Sequence, residues 1–537
     1  MTIVLMGFIS AFTFGQVDGY FISFTDKNNT PYSLSNPEAF LSKRAIDRRS
    51  QQNISIQEND LPVTPAYVDS LKKLGIQVKH TTKWLNGAIV FSDNTNLMDT
   101  LDRVSFIQYV EKTKLSTTRK AIRNKFESTS PAKIKSIALS YGESWDQLRT
   151  VKGQFLHQEG YRGSGMHIAV IDAGFYNADV LPVFQHLYEN GQILGTKDFV
   201  SPATNIYHQH SHGMKVLAII GGLINDEYAG TAPEASFWLL RSEDAATEFP
   251  IEADYWVCAA EFADSAGVDV INTSLGYSQF DDASMNYSYE DLDGTSRIST
   301  AAQVAASKGM VIVNSAGNEG GSPWYYISTP GDAKDILTIG AMAVDSTQAT
   351  FSSFGPTSDG RTKPDITAMG VSVATQGISG AIERGNGTSY SSPVIAGLTA
   401  CLWQALPDLS AAEIRDLIIK SGHQYAQPDN ASGYGIPNFD IAYRTDVKES
   451  SVSTQQWKIS PNPFQNQLRI QSLSDNKHQP VSVFLYDILG QKQIERHFDQ
   501  GDPLVIENLD YLTPGMYILV IESKGTKKHV KLLKRNL

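Results

Sequence analysis

Cysteine is nearly missing: the 537-residue chain has two, Cys258 and Cys401, each inside an apolar run. A disulfide framework is thereby excluded; one bridge stays open, beside the simpler reading of two small buried core residues. Positive charge is also short, with 45 Lys and Arg against 57 Asp and Glu and a formal net charge of −12. A nucleic-acid binder would show a basic surface instead. Long apolar runs are absent too. MTIVLMGFISAFTFGQ, residues 1–16, is too short to span a bilayer and sits where a signal peptide belongs, although a positive leading region is missing. What remains is ordinary globular composition, 41% hydrophobic and 19% charged. At ~150 residues per domain the length suits two to four domains.

Residues 17–113 read as a small α/β unit. YFISF is strand-like, and NPEAFLSKRAIDRRS is helical, with Asn36 as cap and Pro37 in the first turn. Tyr67 to Leu74 is a second helix stopped by Gly75, and IQVKHTTKWLNGAIVF suggests two strands around an Asn86-Gly87 turn. Asn94 to Leu101 is helical and FIQYVEK closes the unit. Residues 114–140 are basic, Ser/Thr-rich and without apolar periodicity, which predicts an exposed linker of the kind proteases cut.

From 141 to 445 the apolar runs MHIAVID, ASFWLLR, VDVINTSL, MVIVNSAG and ILTIGAM alternate with helical patterns at Met214–Gly221, Ile251–Ala266 and Ser299–Lys308. Strands apolar on both faces, separated by helices, imply an α/β fold with a parallel sheet covered on both sides. Sites in such sheets gather at the carboxyl ends of the strands. The glycines of GYRGSG precede their strand, the wrong order for a dinucleotide-binding turn. Residues 446–457 are a polar linker. Residues 458–537 hold dense short strands (LRIQSL, VSVFLYD, PLVIENL, MYILVIES, KKHVKLL) that suggest a β-sandwich.

Three elements of the large domain fall in a telling order: Asp172 after a strand, His212 at a helix start, and Ser389 at another helix start within GNGTSYSSPVIAG. Acyl transfer needs a hydroxyl nucleophile, an imidazole to take its proton and a carboxylate to orient that imidazole. Asn318, in NSAGNEG, could donate to an oxyanion. Each residue has a bland reading: a turn Asp, a structural His, a helix-capping Ser, an Asn tolerating a left-handed turn. Together, in the order Asp, His, Ser, they outweigh those readings.

VIDAGF, HGMKVLA, NTSLG, SAGNEG and GTSYSSPVIAG resemble the motif set of the subtilisin-like serine peptidases, the subtilases. The resemblance implies a seven-stranded parallel α/β domain, with Asp172, His212 and Ser389 as catalytic triad. It implies Asn318 and the Ser389 N–H as oxyanion hole, and Ser274, Leu275 and Gly276 as the edge that binds substrate backbone. It makes the chain a secreted serine endopeptidase acting on proteins, with no cofactor required for catalysis. Residues 17–113 resemble the inhibitory propeptides of subtilases. PNPF, YDILGQ and LTPGMYIL resemble the C-terminal sorting domain of the type IX secretion pathway, which implies export by that machinery to the cell surface or beyond.

The sequence also departs from the pattern. Met214 stands where the family usually has Thr, which predicts a packing change. The Tyr- and Asp-rich stretch between Tyr277 and Arg297 reads as a longer surface loop beside the cleft; calcium binding by Asp281, Asp282, Asp291 or Asp293 has only the fragment DLDG behind it, so a structural calcium site is not legible. Two rivals to the protease reading are a metal-dependent hydrolase and a surface-binding protein on an inactive scaffold. The first would use His208, His210 and His212 on an extended strand together with Asp172. The second would bind through the C-terminal sandwich.

Overall fold

The computed structural model describes residues 17–116, 125–126, 141–449 apart from 203, 457–472, 480–487, 491–499, 503–523 and 526–535. The expected signal peptide, most of the segment 114–140 and residues 450–456 lie outside the described residues. The chain divides into two compact units, Met1–Tyr443 and Arg444–Leu537.

In the first unit, the N-terminal module is an antiparallel sheet in the order Gln77–Thr82, Gly87–Ser92, Asp18–Phe24, Ile107–Lys114, with helices Lys43–Gln51 and Pro65–Lys73. Successive strand side chains point to opposite faces. Tyr20, Ile22 and Phe24 therefore enter the module's own core with Ala88 and Val90, while Phe21 and Ile89 join a cluster built mostly from the large domain. YFISF is apolar on both faces because both are covered.

Three local expectations for this module fail. NPEAFLSKRAIDRRS is not one helix: a turn at Pro37–Ala39 stops, and a new helix starts at Lys43 because the Ser42 hydroxyl accepts from the Ala45 N–H at 3.2 Å. Helix Thr95–Met98 is likewise shorter than the expected 94–101. Asn86-Gly87 is not a two-residue turn either, since Thr82 pairs with Gly87 across a four-residue loop. Glu261 of the large domain organises that loop, accepting from the backbone N–H groups of Lys83 and Trp84, both at 2.9 Å.

The module sits on helices Pro250–Ala266 and Arg297–Ser307. Buried Arg48 and Arg49 reach Asp264 at 2.6 and 2.9 Å, Arg49 also meets Asp60 at 3.0 Å, and Lys83 meets Asp264 at 3.2 Å. Burial alone would raise the Asp264 carboxyl; Lys83, Arg48 and Arg49 outweigh it and hold the pKa at about 2.

The large domain is a seven-stranded, fully parallel sheet in the order Ile366–Met369, Leu337–Met342, Val311–Ser315, Val270–Thr273, His167–Asp172, Ser236–Arg241, Ile193–Asp198. The five inner strands are those legible as apolar runs. The edges escaped because ILGTKD is polar and half-exposed and Ile366–Met369 has only four residues. Ile168 and Val170 point into a core with helices His212–Gly221 and Thr388–Ala405; Ala169 and Ile171 point to the opposite face and helices Pro250–Ala266 and Arg297–Ser307. After His167–Asp172 the chain goes to the edge strand Ile193–Asp198, returns to fill Ser236–Arg241 between them, then crosses to Val270–Thr273 on the other side. This reversal opens a crevice at the carboxyl ends of the strands.

Helix Phe439–Glu449 continues past the expected domain end at 445. In the second unit, Trp457–Ser460, Leu468–Ser472 and Leu504–Ile506 form one antiparallel sheet. Lys492–Phe498, Val481–Asp487, Gly515–Ser523 and Thr526–Lys534 form another. The two share a core that includes Leu468, Ile470, Val483, Leu485 and Leu519, the expected sandwich. Lys492–Phe498 was missed because KQIERHF carries charge on its outer face. Cys258 and Cys401 are free and buried. No described helix is long and apolar enough to cross a membrane.

One buried imidazole ties the large domain to pH. His157 Nε2 donates to the Thr231 carbonyl at 2.9 Å and Nδ1 accepts from the Tyr141 hydroxyl at 3.2 Å. Burial pushes its pKa down from 6.5 to about 4. The folded domain thus holds it neutral where the unfolded chain protonates it, so stability is intact above about pH 6.5. It is lost as pH falls toward about 4, by up to roughly 3 kcal/mol. In a Ser389→Ala background, His157→Gln should lower Tm at neutral pH but flatten its decline between about pH 7 and pH 4. An unchanged decline would place the acid sensitivity elsewhere.

Candidate active site

Asp172 is the last residue of its strand and fully buried. His212 opens helix His212–Gly221, and its Nδ1 faces both Asp172 carboxylate oxygens, at 2.8 and 2.9 Å. That contact places the proton on Nδ1 and leaves Nε2 as acceptor. The approach depends on Gly213, where a Cβ would lie 2.6 Å from the Gly174 carbonyl oxygen and 2.8 Å from Asp172 Cβ. Asp172 Oδ1 also accepts from the Ala173 N–H at 2.7 Å. Arg241, ending the neighbouring strand, donates to the Ala173 carbonyl at 3.1 Å and pairs with Asp198 at 2.9 Å, which fixes the backbone beyond the aspartate.

Helix Thr388–Ala405 is capped by Gly387, with φ at 147°. Ser389 is therefore not a capping serine but the second helical residue, with a backbone N–H that the helix itself does not use. Gly385, two residues before this cap, pairs with Val373 in a short hairpin. Pro393 stands four residues after Ser389 and has no N–H to give its carbonyl. The Ser274 hydroxyl makes that bond at 2.9 Å, and Ser389 Oγ donates to the Ser274 carbonyl at 3.3 Å. Ser274 lies just past strand Val270–Thr273, beside the Asp172 strand; buried Leu275 and exposed Gly276 continue the edge to Tyr277, whose N–H donates to the Thr329 carbonyl at 2.8 Å. Tyr390, after Ser389, has its ring centre 6.2 Å from that of His212.

Asn318 is held by its acceptor end: Oδ1 takes the Thr388 N–H at 2.8 Å and the Thr388 hydroxyl at 2.9 Å. Its amide NH2 is thereby turned to Gly387. A Cβ built there would lie 3.6 Å from Asn318 Nδ2 and 3.7 Å from the Ser389 N, so the two donors flank one glycine. The hold of Thr388 on Asn318 was not legible in the sequence, since the two lie far apart along it; Arg241 was overlooked although a charge ending the apolar run ASFWLLR is itself a signal. Phe126, in the stretch expected to be exposed linker, is half-buried, with ring centres 4.6 Å from His210 and 4.4 Å from His212.

The histidine metal geometry does not form. His208 ends a turn at Ile206–His208, His210 Nδ1 accepts the His212 N–H at 3.2 Å, and no extended strand aligns the three rings. Asp282, Asp291 and Asp293 each cap their own turn, at 2.9, 2.7 and 2.8 Å, and Asp281 accepts from the Glu248 N–H at 3.2 Å. Met214 is buried in the core under the sheet.

Comparison with known proteins agrees with this architecture. The subtilase family matches over residues 163–435, just over half the chain, and the chain belongs to that family of serine-type endopeptidases. A peptidase S8 propeptide domain of Bacteroidota matches residues 19–129. A secretion system C-terminal sorting domain matches 458–535, which assigns the protein to the secreted or cell-surface class. Serine protease AprX of Bacillus subtilis (strain 168) is 30% identical over 306 residues, covering 51% of this chain and 65% of that protein. Subtilisin NAT of Bacillus subtilis subsp. natto is 28% identical over 341 residues, covering 62% of this chain and 81% of that protein. The crystal structure of MycP1 with the N-terminal propeptide removed is 24% identical, covers 56% of this chain and 96% of that chain, and has a TM-score of 0.45.

The Ser274–Ser389 pair can be tested by stability alone. Ser274→Ala leaves the Ser389 carbonyl without its donor at a helix position where Pro393 supplies none, and should cost about 1–3 kcal/mol in thermal unfolding. Ser274→Thr, which keeps the hydroxyl, should recover part of that loss.

Proposed function

We propose that the chain is the zymogen of a secreted serine endopeptidase in which Ser389 is the nucleophile, His212 the general base and Asp172 the residue that orients and charge-stabilises His212. The observation that carries this reading is the Asp172–His212 contact at 2.8 Å beside a helix start bearing Ser389. Attack begins when the Ser389 hydroxyl turns from the Ser274 carbonyl to His212 Nε2, which takes its proton as Oγ adds to the substrate carbonyl. Asn318 Nδ2 and the Ser389 N–H donate to the resulting oxyanion. His212 then protonates the leaving amine, the acyl-enzyme forms, and water repeats the cycle in reverse. Substrate backbone runs along Ser274, Leu275 and Gly276. Met214 packs the helix behind His212 without entering this chemistry.

The N-terminal module is proposed to be the intramolecular inhibitor and folding partner of the peptidase. Its support is the interface itself: Phe21 and Ile89 complete an apolar cluster of the peptidase domain, and Arg48, Arg49 and Lys83 converge on Asp264. The C-terminal sandwich is proposed to carry the chain to the secretion machinery and to take no part in hydrolysis.

Ser389→Ala should abolish fluorophosphonate labelling; labelling at the wild-type level would overturn the nucleophile assignment. Asp172→Asn should lower kcat by about 10⁴-fold through the wrong imidazole tautomer, and Asn318→Ala by about 10²–10³-fold, with KM little changed in both. The interface has its own test. Asp264→Ala leaves Arg48 and Arg49 buried without their shared carboxylate, and should weaken propeptide retention by roughly 3–5 kcal/mol. Active enzyme should then appear earlier during maturation, and an unaltered time course would separate retention from this cluster.

A further inference from the structure

Glu243 lies two residues past the end of strand Ser236–Arg241, the neighbour of the Asp172 strand, and is fully buried. Glu252, in the first turn of helix Pro250–Ala266, and Glu248, just before that helix, converge on it. One carboxylate oxygen from each lies within 4.8 Å of the others. Carboxylates do not share a buried chamber without a counter-charge. The chain supplies one. Lys125 Nζ is 2.6 Å from Glu243 and 2.9 Å from Glu248, contacts Glu252, and donates to the Thr247 carbonyl at 3.2 Å. Three carboxylates and one backbone carbonyl thus surround a single ammonium. The far side of the chamber is closed by the Tyr277 hydroxyl, which donates to Glu243, and Tyr277 directly follows the Ser274–Gly276 edge. The residue after Lys125 is Phe126, whose ring rests on the His212 imidazole with centres 4.4 Å apart. One dipeptide thus reaches from the acidic chamber to the candidate general base.

We infer that Glu243, Glu248 and Glu252, with Tyr277, form a substrate subsite for a Lys or Arg side chain, one residue N-terminal to the side chain that packs on His212. Lys125 fills it in the zymogen as the substrate's basic residue would after maturation. The inference rests on the endopeptidase reading above and adds its side-chain preference. An uncharged side chain of equal length would fill the volume but leave the carboxylates buried without a cation, so discrimination is against charge loss more than size. Burial raises Glu252 well above the ordinary carboxylate range and Glu248 to about 7. Burial acts the same way on Glu243, but there Lys125 outweighs it and the carboxyl stays below its ordinary value. The chamber's charge is thereby brought closer to that of a single ammonium.

The test uses the matured, secreted enzyme, with active sites counted by fluorophosphonate labelling. A peptide series walks Lys, against norleucine, through each position upstream of the cleaved bond. One position should show at least a tenfold higher kcat/KM for Lys, and Glu252→Gln should reduce that ratio at least fivefold. A ratio near one at every position in fully labelled wild-type enzyme overturns the subsite and leaves the endopeptidase reading standing. Absent labelling overturns the endopeptidase reading and the subsite with it. A Lys preference abolished by EDTA assigns the chamber to a metal ion and overturns the inference as well.

Discussion

The contact between Asp172 and His212 is where most constraints of the large domain meet. A fully buried carboxylate needs a hydrogen-bonded partner, and this one has the His212 Nδ1–H and the Ala173 N–H. To bring the imidazole there, the helix that begins at His212 must touch the end of the strand that finishes at Asp172. That approach is sterically open only with glycine at 213. Arg241 then ties the backbone after Asp172 to the next strand, so the aspartate cannot drift from the ring it orients. The parallel sheet makes all this local, since every strand delivers its last residue to the same edge.

The opposite wall is built on a different principle. Proline inside helix Thr388–Ala405 removes one backbone donor, and the chain uses the gap to attach the helix start to Ser274, just past the central strand. Thr388 performs a similar service for Asn318 by occupying its acceptor end. Ser389 and Asn318 are thus each positioned by a residue distant in sequence, Ser274 for the first and Thr388 for the second. A hydroxyl and an amide that could each sit in many rotamers are left with few.

The N-terminal module shows a second core assembled across what the sequence divides into two domains. Helix Pro250–Ala266 is buried along nearly its whole length because the sheet covers one side and the module the other. Its carboxylates Glu261 and Asp264 are satisfied by groups the module supplies: backbone N–H groups at Lys83 and Trp84, and the side chains of Arg48, Arg49 and Lys83. Removing the module therefore exposes apolar surface and strips two buried acids of their partners, which is a physical reason for such a pair to fold together.

Much of this was legible in the linear chain. Five inner strands announced themselves as apolar runs because both faces of a parallel sheet are covered, and Asp172, His212, Asn318 and Ser389 stood out because each follows or opens a regular element. Local chemistry suffices for that, since periodicity and turn residues act over a few positions. The edge strands, the break at Ser42 and the loop organised by Glu261 were not legible, because each depends on a partner distant in sequence. The same holds for the chamber around Lys125. Its three glutamates lie between residues 243 and 252, and its occupant lies more than a hundred residues earlier in a stretch that reads as solvated linker. The sequence by itself determined which side chains could do the chemistry and the order in which they come. Only the tertiary structure decided which of them meet, because a buried charge finds its counter-charge by proximity in space, and no pattern along the chain records that distance.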